Sequence, residues 1–82
     1  MEKQQMKKIY SLNLAAFIYM ITHLEPHLYE DEMGKISFLY PDTSEITLLI
    51  NIYRKNQISV NLKEFLNAFR TIKKLSNKRK YE

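Results

Sequence analysis

Apolar and polar positions along the chain change their period several times, and each change marks an element. Leu14, Phe17, Ile18 and Ile21 recur at helical spacing, while Leu12, Ala16, Tyr19 and Met20 make the opposite side apolar as well. Ser11 is a suitable N-cap, and Pro26 disfavours helical geometry at Glu25, so the first helix is expected to start near Ser11 and stop before Pro26. After it, Ile36, Phe38 and Tyr40 alternate with Ser37 and Leu39, a strand of period two. The turn signal Asp31-Glu32-Met33-Gly34-Lys35 contains the one glycine in the chain, so residues 27–40 read as a hairpin.

Two more helices follow. Asp42-Thr43-Ser44-Glu45 has the residues of a capping box, with Glu45 expected at its third helical position, and Ile46, Leu49, Ile50 and Tyr53 then share a face. Asn61 with Glu64 three residues on, and Val60 placed to staple onto Phe65, begin the third helix. Its buried stripe is expected to be Leu62, Phe65, Leu66, Phe69 and Ile72. The predicted fold is α+β: three helices with a two-stranded antiparallel hairpin, in the order α-β-β-α-α. Residues 1–10 form a basic N-terminal segment, 11–75 a single domain and 76–82 a basic flexible tail without apolar period. One core is expected to hold Phe17, Ile18, Ile21, Phe38, Leu49, Tyr53, Phe65, Leu66 and Phe69.

A first helix that is apolar nearly all round is either central in its fold or covered partly by a second subunit. The second option carries weight in a chain of 82 residues, so a homodimer through Leu12, Ala16 and Met20 is expected. The apolar run 12–21 falls short of the ~20 residues of a membrane span, no small-residue cleavage site follows it, and no membrane association is expected. The 45% apolar fraction excludes a wholly disordered chain, and the lack of cysteine favours a reducing cytoplasm over secretion.

Charge is unevenly placed. Residues 1–24 carry a net +2 and residues 25–53 a net −5; residues 54–82, with nine Lys/Arg against Glu64 and Glu82, carry +7. A basic end suits an acidic partner, although cations near a helix C-terminus also stabilise the helix itself. At 100° per residue Lys63, Asn67, Arg70 and Lys74 fall in one stripe away from the apolar face. With Lys78, Arg79 and Lys80 of the tail they form the candidate nucleic-acid-binding set: cations for phosphates and an amide for a base edge of double-stranded DNA. The connection Asn56–Val60 is long for a tight helix-turn-helix and has no glycine. Solvated Lys and Arg on an outer helix face are also ordinary.

No catalytic residue, metal ligand or cofactor is expected. His23 and His27 are four apart but straddle Pro26, and there is no cysteine to complete a metal site. Glu30, Asp31 and Glu32 at a hairpin tip are read as solvated carboxylates. No Gly-rich phosphate loop or nucleophile–base set is present.

Across residues 10–75, several positions together are informative: Phe38-Leu39-Tyr40-Pro41-Asp42, a helix ending in Tyr53, then Val60-Asn61 and Phe65 before a Lys-bearing helix. They resemble an uncharacterised family of small bacterial domains found in phage, plasmid and other mobile-element genes. The resemblance implies a helper protein of a mobile element in the bacterial cytoplasm and assigns no functional residue. Two functions are therefore expected in parallel: a DNA-binding accessory factor using the third helix and tail, or a module that binds a host or element-encoded protein.

Overall fold

The computed structural model describes residues 5–55 and 59–80, with side chains up to residue 77. The elements run β1 (Met6–Ile9), α1 (Leu12–Thr22), β2 (His27–Glu30), β3 (Ile36–Pro41), α2 (Ser44–Arg54) and α3 (Leu62–Lys80). The class is α+β with three helices, but the hairpin is part of a three-stranded antiparallel sheet in the order β1-β3-β2. β1 corrects the sequence reading, which left residues 1–10 as a basic segment. Its Lys-Lys core hides the strand pattern, since only Ile9 turns an apolar side chain inward, and such lysines are typical of an edge strand.

The register fixes what each face carries. Ile9 pairs with Phe38 and Phe38 with Leu28, so these three side chains share one face with Tyr40 and Ile36. The helices lie on the side of this face: Ile9, Phe38 and Tyr40 belong to one buried cluster with Leu14–Ile18 of α1, Ile46, Leu49 and Ile50 of α2, and Ile72 of α3. The molecule is a slab 36 × 33 × 20 Å, the shortest dimension being that of one sheet and one helical layer.

α1 is the centre of the slab. Ser11 accepts a hydrogen bond from the Leu14 amide at 3.1 Å as its N-cap. His23, in the left-handed region at φ 60°, closes the helix by donating its amide to the Tyr19 carbonyl at 2.7 Å, three residues before Pro26. Five consecutive residues, Leu14–Ile18, are buried, which takes more than a full helical turn out of water. α3 lies along α1, and α2 packs on α1 through Phe17 and Tyr53, whose ring centroids are 5.8 Å apart. The face carrying Leu12, Ala16 and Met20 is thus covered within the chain: Ala16 is 0% exposed, and the other two pack against the core. α1 is therefore central in its own chain's fold, with Leu12 and Met20 partly buried.

Other expectations shift for local reasons. The N-cap of α2 is Thr43, whose hydroxyl accepts from the Ile46 amide, so Glu45 sits at the second helical position and cannot complete a capping box. Ile21 is 47% exposed because α1 ends one residue later. The backbone of α3 continues to Lys80 rather than ending at Leu75, its last turns built from good helix formers with cations at the favourable end. Among the described residues no helix is long and apolar enough to cross a membrane.

The Tyr40 ring is fully buried, and its hydroxyl donates to the Ala15 carbonyl at 3.4 Å. Burial, reinforced by Tyr19 and Glu25, pushes its ionisation well above the ordinary tyrosine range. The folded state therefore holds this proton where the unfolded chain releases it near pH 10. The sign follows: Tyr40 costs nothing below about pH 10, and stability falls as pH rises beyond it. Tyr40→Phe should flatten that alkaline loss in urea titrations followed by circular dichroism while changing neutral-pH stability by only about 1 kcal/mol. Ile72→Ala, at a 0% exposed position that fixes α3 to α1, should cost about 2–5 kcal/mol.

Candidate nucleic-acid interface

α3 is the longest helix, 19 residues, and its start is well fixed: the Asn61 side chain accepts from the Glu64 amide at 3.0 Å, as its sequence position predicts. Ala68 and Ile72 are buried, and Phe65, Phe69 and Leu75 pack against the core, with Phe65 and Phe69 edge to face at 6.3 Å. Lys63, Asn67, Arg70 and Lys74 are all exposed and lie on the side of the helix opposite this stripe. At 1.5 Å per residue they span about 16 Å of helix axis. The side chains of Lys78, Arg79 and Lys80 lie outside the described residues, although the helical backbone carries all three positions.

The buried stripe itself needs correction. Leu62 is 70% and Leu66 42% exposed. Ala68, not Leu66, faces α1, because a helix packed closely along another needs a small residue at the line of approach. The two leucines instead line a shallow groove of about 470 Å³ together with Asn61, Lys63, Asn67 and Arg70. The stripe is consequently cationic with an apolar margin.

A second cleft, of about 400 Å³, runs between the end of α1 and α3, and sequence reasoning did not find it. Tyr19, His23, Glu64, Asn67 and Thr71 supply its polar atoms. It depends on the left-handed cap at His23, which residue spacing does not reveal. Asn67 borders both hollows, so it stands on the ridge between a cationic groove and a cleft that holds the Glu64 carboxylate.

Lys73 adds a further exposed cation to α3, and Lys7, Lys8 and Arg54 lie elsewhere. Lys7 and Lys8 of β1 line a third groove, of about 340 Å³, with Tyr10, Tyr53 and Arg54 at the end of α2. α2 and α3 both pack on α1 and not comparably on each other among the described residues, so they do not form a compact helix-turn-helix pair. Of the connection between them, residues 56–58 lie outside the described residues.

The other candidates find structural roles or none. Asp31 accepts from the Met33 and Lys35 amides at 2.9 and 2.8 Å, which closes the hairpin tip around Gly34 at φ 82°. His23 caps α1 while His27 stands on β2, and among the described residues no group of three or more His, Asp or Glu could hold a metal ion.

The model of a family described as a domain of unknown function (DUF5659) matches residues 4–78. The chain belongs to this family. No curated protein and no solved structure matches it. DUF5659 membership spans every element from β1 to α3 and leaves the function to be argued from the surfaces above.

Asp31→Ala should cost roughly 1 kcal/mol through loss of the two amide contacts. Glu32→Ala, at the exposed tip beside it, should stay within about 0.5 kcal/mol in the same urea titration. Equal effects would mean that Asp31 does not organise the turn.

Proposed function

We propose that this protein acts by binding rather than by catalysis, as a DNA-binding accessory factor of a bacterial mobile element that applies the outer face of α3 to duplex DNA. The observation that carries the reading is the placement of Lys63, Asn67, Arg70 and Lys74 together on the solvent face of a helix anchored by Ala68 and Ile72. Three cations over about 16 Å reach successive phosphates of a groove wall, and the amide between them suits the N6 and N7 of an adenine. Lys78, Arg79 and Lys80 extend the same helix axis and add to the attraction. The mobile-element context rests on the resemblance of residues 10–75 to domains of such genes, and a cytoplasmic setting on the lack of cysteine.

A protein partner is the second reading, favoured by the exposure of Leu62 and Leu66 beside Lys63 and Arg70. An acidic helix with an apolar stripe would fit that groove.

The two are separated by fluorescence anisotropy on duplex DNA across a salt series. Each phosphate contact contributes about 0.9 to the slope of log affinity against log salt. Arg70→Glu with Lys74→Glu should lower affinity at least tenfold and flatten the slope by about 2, with melting unchanged. Asn67→Ala should relax sequence preference and leave the slope intact. Unaltered affinity in the double variant, or no duplex binding by the unaltered protein at low salt, would favour the protein partner.

A further inference from the structure

The helices occupy one face of the sheet, and the other face carries an aromatic row. Tyr29 pairs with Ser37, and Ile9 pairs with Phe38, so Tyr10 continues the β1 register to the opposite side of Ser37. Tyr10, Ser37 and Tyr29 therefore cross the three strands in one line, with the two tyrosine backbones about 10 Å apart. Ser37 is 1% exposed although no helix covers it, so the larger side chains around it close over the middle strand. The rings themselves stay open, Tyr10 at 54% and Tyr29 at 44% exposure.

Each ring is accompanied by a cation. The Lys35 ammonium is 4.5 Å from the centroid of Tyr10, and the Lys8 ammonium 4.7 Å from that of Tyr29. Lys8 and Tyr10 also border the groove that leads past the β1 edge to Lys7 and Arg54. Cations thus continue from that groove onto the aromatic row. Glu30 alternates to the opposite face, the Asp31 carboxylate is held in the turn, and Glu32 stands exposed at the tip beyond the row.

We infer that this face is a binding platform for single-stranded DNA, with bases stacked on Tyr10 and Tyr29, phosphates on Lys8 and Lys35, and the strand led over the β1 edge to Lys7 and Arg54 on the helical side. The inference is independent of α3, which lies on the helical side. Exposed aromatics interleaved with cations on an open antiparallel sheet supply what a single strand needs and a duplex cannot use, because paired bases hide their faces. Each ammonium lies over its ring, so a stacking base displaces it, and the released lysine reaches the phosphate of that nucleotide. Rings and ammonium groups do not read a 2′-hydroxyl, so deoxyribose suffices.

The test is anisotropy with oligo(dT) of about twelve nucleotides, a length within single-strand site sizes. Oligo(U) of the same length and a duplex serve as parallel arms. Tyr10→Ala with Tyr29→Ala should weaken oligo(dT) binding roughly fivefold or more per ring and leave duplex binding unchanged. Tyr10→Phe with Tyr29→Phe should keep oligo(dT) affinity, since stacking survives without the hydroxyls. In the unaltered protein oligo(dT) should quench tyrosine fluorescence, and the Phe pair should remove that quenching. Lys7→Glu with Arg54→Glu should flatten the salt slope for the single strand alone. Unchanged affinity in the alanine pair, or a loss in the Phe pair as large as in the alanine pair, would overturn the platform. Binding of oligo(U) without oligo(dT) would overturn the choice of DNA, and an α3 variant that loses the duplex alone leaves the platform standing.

Discussion

The rest of the structure depends on the burial of α1. A helix with five consecutive buried residues is covered all round through its middle turn, and one chain of this length has few elements with which to cover it. The sheet takes one side, where Ala15 is small enough for the Tyr40 hydroxyl to reach its carbonyl, and α3 takes another through Ala68 and Ile72. Small residues at the lines of approach let three elements meet around one helix. All the helices are drawn to one face of the sheet as a consequence. What remains free is then determined: the outer side of α3 and the back of the sheet.

Much of this was legible in the sequence because it is local. Ser11 and Asn61 cap their helices through the side chains that spacing assigns, and the single glycine marks the hairpin. The polar stripe of α3 follows from the 3.6-residue period alone and is exposed as expected. The misreadings arise where tertiary packing decides. β1 carries one inward apolar residue, and only the pairing with β3 makes it a strand. Leu66 looked like core because it is large and apolar, whereas the approach of α3 to α1 favours the small Ala68. The two-sided apolar character of α1 was read correctly, but its resolution inside one chain needed a third strand that the pattern hides. The aromatic row needed register: Tyr10, Ser37 and Tyr29 are far apart in sequence and become neighbours only across strands.

The charge distribution acquires a reason in these terms. The acidic middle of the chain contributes the hairpin tip, where Asp31 is spent on the turn, and the first turn of α2, where Glu45 suits the helix dipole. The basic ends of the chain supply the uncovered surfaces, α3 on one hand and β1 with Arg54 on the other. The net charge of +4 thus resides at the two ends of the chain. That placement matches the two proposed sites, α3 for a duplex and the sheet for an unpaired strand.

The most direct test of this account is an amide chemical-shift map of the protein with a DNA hairpin that carries a single-stranded arm. Shifts confined to the outer positions of α3 around residues 63–74 and to β1 and β2 around Tyr10 and Tyr29 would support it, with the amides of Ala15, Ala16 and Ile72 unmoved. Shifts confined to the hairpin tip at Glu32 and Met33 or to the cleft beside His23, or no shifts at low salt, would contradict it.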